Sequence, residues 1–241
     1  MASFVLLPIM PKKRSKRYLK AAELVDPEKD YSLEEAAAVI KKFPTPKFEQ
    51  TVTVSFRMGI DPRQSDQMVR GTCPLPHGSG KEVRVLVFAK GDAAAAAEKA
   101  GAELVGFEDM IKKVSDGFID FDVAVATPDA MSEVRKLGRV LGPRGLMPNP
   151  KTGTVTDDTA AAVQAVKAGR VDFKLDRNGN IAVPVGRVGF SESQLVENTA
   201  AVIDAVQRAK PPTAKGRYIT SAHLAATMSP GIALLPSLYT I

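Results

Sequence analysis

The chain has 241 residues, 44% hydrophobic and 25% charged, the composition of an ordinary soluble globular protein long enough for one large or two modest domains. Its 33 Lys and Arg against 27 Asp and Glu leave a net charge of +6, a modest excess that favours a polyanionic partner but is equally compatible with a mildly basic enzyme. A single cysteine, Cys73, excludes an internal disulfide and fits a reducing compartment; His77 and His223 are too few and too isolated for a metal cluster, and no apolar run is long enough to span a bilayer.

Met1–Ile9 is apolar, but its charge follows it instead of preceding it, so it fails the signal-peptide pattern and reads as a disordered upstream extension. Met10 is the more natural start. Lys12, Lys13, Arg14, Lys16, Arg17 and Lys20 then form a basic arm, either a solvated tail or a phosphate contact. Ser32-Leu33-Glu34-Glu35 is a capping box that predicts a helix to about Lys42, stopping before Pro44. Thr51 to Met58 alternates, with Val52, Val54, Phe56 and Met58 on one side and Thr51, Thr53, Ser55 and Arg57 on the other, as a half-buried strand does.

From Glu82 strands alternate with helices. Val83–Ala89 and Val123–Ala126 read as buried strands; Asp92 is placed as the cap of an alanine-rich helix, Asp129 starts another through Leu137, and Asp157 or Thr156 caps a third through Lys167. Such alternation predicts an α/β layer with a largely parallel sheet. Leu141–Pro150, rich in glycine and proline, is a loop. After Gly169, Val171, Phe173 and Leu175 alternate with polar residues, and Asn178-Gly179 predicts a type I′ hairpin turn into Ile181–Val185. Ser191 and Gln194 form a second capping box, and an apolar stripe from Leu195 to Val206 ends at Pro211-Pro212. The fold class is α/β in the middle and antiparallel α+β at both ends, which an inserted middle domain explains.

Catalytic signals are weak. Gly78-Ser79-Gly80-Lys81 lacks the first glycine and the final Ser or Thr of a phosphate loop, and it precedes a strand instead of following one, so it reads as a connection. No dinucleotide fingerprint follows the first α/β strand, and no nucleophile elbow is present. Cys73, with no basic neighbour to activate it, reads as a packing residue. RNA contact is better supported: the polar row Thr51, Thr53, Ser55, Arg57 and the cations Lys174 and Arg177 suit one surface, although a plain solvated sheet face gives the same pattern. Phe48 is either a core anchor or an exposed aromatic for a ribose or base.

Several segments together resemble the L-one family of large-subunit ribosomal proteins in its bacterial form: 10–18, Lys47-Phe48-Glu49-Gln50-Thr51-Val52, Gly59–Arg63, Asp66–Thr72, Leu137–Asn149 and Lys215-Gly216-Arg217-Tyr218-Ile219. The loop Leu-Gly-Pro-Arg-Gly-Leu-Met-Pro-Asn-Pro at 141–150 is the most specific. The resemblance implies two domains: a discontinuous RNA-binding α+β domain from 10–78 and 170–241, and an inserted Rossmann-like α/β domain at 79–169, joined by a hinge near Gly78–Gly80 and Ala168–Arg170. It implies a cytoplasmic, non-enzymatic constituent of the large ribosomal subunit with no cofactor. Its partners are the ribosomal RNA of the mobile stalk, exit-site tRNA, whose release it assists, and its own messenger RNA, which it represses. By matching motif it implies RNA contacts at Lys47, Phe48, Thr51, Arg177, Thr227 and Met228. The chain departs from the family at Ser229, where a glycine is usual and backbone is expected to approach RNA. A nucleotide-using enzyme and a free RNA-binding regulator are the alternatives.

Overall fold

A computed structural model describes residues 14–214 and 216–239. The expected extension Met1–Ile9, the Lys12 and Lys13 end of the basic arm, and Lys215 lie outside the described residues. Lys16, Arg17 and Lys20 of the arm are helical: Ser15 caps α1 (Lys16–Ala22) by accepting from the Tyr18 amide. The first capping box is present at α2 (Leu33–Lys42), with Ser32 Oγ and the Glu35 carboxylate each accepting the other's amide at 3.2 Å. The alternation at 51–58 becomes β1 (Thr51–Met58): Val52, Val54, Phe56 and Met58 are buried, Thr51, Thr53 and Ser55 half-buried, and Arg57 exposed.

The chain continues through β2 (Arg70–Pro74), β3 (Val85–Phe88), α3 (Asp92–Lys99), β4 (Leu104–Gly106), α4 (Glu108–Ser115), β5 (Val123–Ala126), α5 (Met131–Val134), α6 (Gly138–Leu141) and α7 (Thr159–Lys167). It closes with β6 (Arg170–Lys174), β7 (Asn180–Arg187), α8 (Glu192–Arg208), β8 (Ile219–Ala226) and β9 (Ile232–Ala233). Three sheets result. The middle of the chain forms the expected parallel sheet, in the order β4-β3-β5. Strands from both ends interleave in an antiparallel sheet, β7-β1-β8-β9. An antiparallel ribbon pairs β2 with β6.

The apolar rows decide how these layers bury. The inner face of the four-stranded sheet (Val52, Val54, Phe56, Ile181, Val183, Leu224, Ile232) packs with the stripes of α2 and α8, and every residue of that core lies within 21–75 or 171–239. The parallel sheet buries its two faces separately. Leu86, Phe88 and Ala124 pack with α4 and the 130–141 segment, whereas Val85, Val87 and Val125 pack with α3 and α7. The second capping box holds at α8, where Ser191 accepts from Gln194 N. Cys73 is buried, and desolvation, aided by the Asp204 charge, pushes its thiol up, as suits a packing residue.

Three local expectations are corrected. Asp92 is the first residue of α3, not its cap; Gly91 occupies that position with φ +57° and makes no side-chain cap bond. The cap of α7 is neither Thr156 nor Asp157 but Asp158, which accepts from Ala161 N at 3.0 Å. The 176–180 turn is not type I′. That turn needs positive φ at both central residues, and no described non-glycine residue has positive φ. Instead Asp176 Oδ1 accepts from Asn178 N at 2.8 Å and Asn180 N at 2.7 Å, and Gly179 alone takes φ +79°. An Asp side chain that organises the turn lets three residues, Arg177, Asn178 and Gly179, span it.

Asp122 fastens the start of β3. Its carboxylate accepts from Lys81 Nζ at 2.6 Å and Arg84 N at 3.2 Å, and these bonds, with Arg84's side chain, hold it below the usual aspartate range. A carboxylate with a depressed folded-state pKa stabilises above its unfolded-state pKa, and that contribution is lost as pH falls through the folded value. Asp122→Asn is therefore expected to cost about 1 kcal/mol at pH 7 and to converge on the parent protein in acid. Urea unfolding at several pH values checks this; an equal loss in acid sinks it.

Candidate nucleic-acid interface

The site expected from 47–51 and 227–228 assembles at one end of the four-stranded sheet. β1 pairs with β8 from Val52↔Ala226 onward, so the residues preceding β1 meet those following β8. Thr51 N donates to Thr227 Oγ1 at 3.1 Å, Thr227 N donates to Thr51 O at 3.1 Å, and Thr227 Oγ1 donates to the same carbonyl at 3.2 Å. Met228 N donates to Gln50 Oε1 at 3.0 Å. Gln50 is buried, and its side chain is thereby a peg under the 227–229 turn.

This latch determines what each side chain presents. Phe48 is 49% exposed and Met228 is 50% exposed, so of the two readings of Phe48 the exposed aromatic is correct. Large apolar groups left in water at one point of a structure mark a surface that meets something. Lys47 is exposed beside them and makes no ion pair among the described residues. Thr227 differs. Its hydroxyl already donates its one proton to Thr51, which leaves it only a lone pair for any ligand. Its main work is to hold the turn.

Ser229 keeps ordinary backbone geometry, since no described non-glycine residue has positive φ. A serine where the resemblance implies a glycine therefore adds no backbone strain. Its Oγ accepts from Ala226 N at 2.9 Å, and its amide donates to Ala226 O at 3.0 Å. The serine closes the turn on itself.

Arg177 does not join this group. It sits in the β6–β7 turn, next to the strand end where Met58 N donates to Gly179 O. That is the opposite end of β1, roughly 23 Å from Thr51 at 3.3 Å per residue. Between the two ends runs the outer row of half-buried Thr51, Thr53 and Ser55 and exposed Arg57, flanked by Ala182 and Pro184 on β7 and by Ser221, exposed His223 and Ala225 on β8. Sequence reasoning missed Gln50 and the pair Arg187–Glu49, 2.7 Å apart beside Thr51. Neither follows from local pattern, because each depends on which strand lies next to β1.

A stability and binding split follows. Thr227→Val keeps shape but leaves Thr51 N without its partner, so unfolding free energy is expected to fall by about 1–2 kcal/mol. Met228→Ala leaves an exposed position smaller and is expected to leave the melting temperature unchanged. Thermal unfolding of both variants checks the pair; equal destabilisation would mean that Met228 also serves the fold.

The latched strand end thus presents exposed Phe48, Met228 and Lys47 together with the tied Thr51 and Thr227. The model of the Ribosomal protein L1p/L10e family matches residues 40–230. Two curated proteins named "Large ribosomal subunit protein uL1", from Bifidobacterium longum strains DJO10A and NCC 2705, are each 54% identical over 225 residues, covering 93% of this chain and 98% of the relative. The chain belongs to the ribosomal protein L1p/L10e family. It is a ribosomal protein of the bacterial type and not an enzyme.

Proposed function

We propose that this chain is a constituent of the large ribosomal subunit in the cytoplasm. In this reading it binds stalk ribosomal RNA with the strand end where Lys47–Thr51 meets Thr227–Met228. The observation that carries the reading is the latch itself: segments 176 residues apart are tied by direct hydrogen bonds, and around them Phe48, Met228 and Lys47 face solvent. RNA recognition commonly uses stacked aromatics with backbone contacts, and this group supplies both kinds of side chain. Arg177 belongs, in this reading, to the far end of the same RNA track, reached along the outer row of β1.

The division into a composite RNA-binding domain, 10–78 with 170–241, and an inserted Rossmann-like domain, 79–169, belongs to the same proposal. In its support, the core beneath the four-stranded sheet draws on no residue between 75 and 171. Gly78 and Gly169, which lie against each other, serve as the hinge. Assistance to tRNA leaving the exit site, and repression through a copy of the RNA site in its own messenger, complete the functional reading.

The test is a titration of the full chain with stalk RNA at several salt concentrations. If about four phosphates are neutralised by lysine and arginine, log K falls with log salt at a slope of roughly −3 to −4. Met228→Ala is expected to lower affinity about tenfold at every salt concentration without altering that slope, because its contact is apolar; Lys47→Ala reduces the slope by up to about one unit. A flat salt dependence, or Met228→Ala with parental affinity, overturns the assignment. Adding the protein to translation of its own messenger should lower the yield for the parent and not for Met228→Ala.

A further inference from the structure

The four-stranded sheet buries one face only. Its inner rows lie in the core with α2 and α8, whereas no outward-facing residue of β7, β1, β8 or β9 belongs to that core or packs against it. Antiparallel sheets often leave such a face to water, lined with polar groups. This one carries mostly small side chains, such as Thr53 and Ser55 on β1, Ala182 on β7 and Ala225 on β8, and none of its outward-facing residues is acidic. One aromatic ring rises from it. His223 is exposed on β8, paired with Ser55 on one side and Ala233 on the other. Gly231 lies beside it: a Cβ added there would come 3.7 Å from His223 Cβ and 3.9 Å from His223 Cδ2. Serine, alanine and glycine on its flanks are too short to cover an imidazole.

The fold gives this ring nothing to do. His77, the other histidine, is tied to Glu197 at 2.6 Å, but neither ring nitrogen of His223 has a hydrogen bond or an acidic partner among the described residues. Its place on the sheet is specific. Ser55, its cross-strand neighbour, lies roughly 13 Å along β1 from Thr51 at 3.3 Å per residue, and Arg57 follows it toward the Arg177 end. Exposed Lys47 marks one end of this line and exposed Arg57 and Arg177 the other, and none of the three has an acidic partner among the described residues. An acid-free face with unpaired cations at both ends suits a polyanion. A bare ring among small groups suits a flat partner laid on it. An RNA strand carries phosphates and flat bases together, so it meets both demands.

We propose that a bound RNA strand crosses the outer face of this sheet and stacks one unpaired base on the His223 ring. The proposal rests on the RNA-binding reading and deepens it. It supplies a contact between the Thr51–Thr227 latch and the Arg177 end, and it assigns that contact to a side chain that neither the sequence motifs nor the latch singles out. The small residues around the ring then have a function as well: they keep the sheet low enough for the strand to lie across it.

The test titrates stalk RNA into the full chain at several salt concentrations. His223→Ala is expected to weaken binding about tenfold at each of them, within the range produced by losing one base–aromatic stack. His223→Phe, which keeps a ring but neither nitrogen, should hold parental affinity. Both free variants should melt close to the parent's temperature. A base-specific readout comes from His223→Trp, because the chain has no tryptophan of its own: stalk RNA should quench the indole, and heparin, a polyanion without bases, should not. The proposal is overturned if His223→Ala binds as the parent does, or if His223→Phe is as weak as His223→Ala, which would make the contact a hydrogen bond or a charge. It is equally overturned if RNA leaves the indole unquenched, if heparin quenches it as much, or if the melting temperature of His223→Ala falls with its affinity, which would show that the ring serves the fold. The parent protein separates this claim from the one beneath it. RNA affinity that responds to Met228→Ala but not to His223→Ala sinks only the stack; absence of stalk-RNA binding by the parent sinks the RNA-binding reading as well.

Discussion

Asn198→Leu is expected to lower the unfolding free energy by about 3 kcal/mol. Asn198 lies on the inner face of α8 with 0% exposure, and its amide joins three separate stretches of the chain. Oδ1 accepts from His77 N at 3.1 Å; Nδ2 donates to Val185 O at 2.7 Å and to Gly78 O at 3.1 Å. Leucine fills much the same volume, so cavity formation contributes little, but it leaves one amide and two carbonyls without partners. Each such group costs about 1–3 kcal/mol when buried, and less where the backbone reaches water. The Gly78 end of the tether is only partly buried, which places the sum near the lower bound. Urea unfolding with an unchanged m-value is the check. A loss under about 1 kcal/mol would mean that water replaces all three bonds and that Asn198 is not the clamp between α8, β7 and the crossing at Gly78.

Gly169→Ala is expected to cost about 2–5 kcal/mol, for two additive reasons. Gly169 holds φ +96°, a conformation that alanine adopts only at a cost of about 1–2 kcal/mol. An added Cβ would also sit 2.7 Å from Ser79 N and 2.9 Å from Gly78 C, and still nearer Gly78 Cα. These are backbone atoms of the neighbouring crossing and cannot rotate aside, so overpacking adds about 1–3 kcal/mol. Gly117→Ala isolates the first contribution: Gly117 has φ +104° and a Cβ added there would meet nothing within 4 Å, so only the conformational cost of about 1–2 kcal/mol is expected. Equal losses at the two positions would show that the two crossings can separate freely and that their contact carries no weight in stability. Because Gly78 and Gly169 are the crossings between the two sets of sheets, Gly169→Ala also tests whether the hinge assigned to them depends on close backbone contact.

Much of the local structure is legible in the sequence. The two-residue period of 51–58 specifies a strand with a polar and an apolar side, because side chains of an extended backbone alternate, and the structure buries Val52, Val54, Phe56 and Met58 accordingly. Both capping boxes form where Ser is followed three residues later by Glu or Gln, since that geometry needs only one turn of helix. The Asn-Gly pair points to the wrong turn for an equally local reason. Asp176, two residues before Asn178, captures the amides that would otherwise be free to adopt the mirror-image turn.

By itself, the sequence determined α2, β1, β3, α3, β5, α7, β6, β7 and α8, the parallel character of the middle layer, and the family, whereas α1, β2, β4, β8 and β9 went unread. Those it determined depend on periodicity, spacing and motifs a few residues long. Only the tertiary structure decided that β1 lies between β7 and β8, and with that, everything about the interface. Thr227 latches Thr51, Gln50 pegs the Met228 amide, Phe48 and Met228 stay in water, and Arg177 is carried to the opposite end of the sheet. The physical reason is that a strand's pattern states which of its faces is buried but not which strand pairs with it. Partner and register follow from closing a core across more than a hundred intervening residues, and a site built from two strand ends exists only once that core has closed.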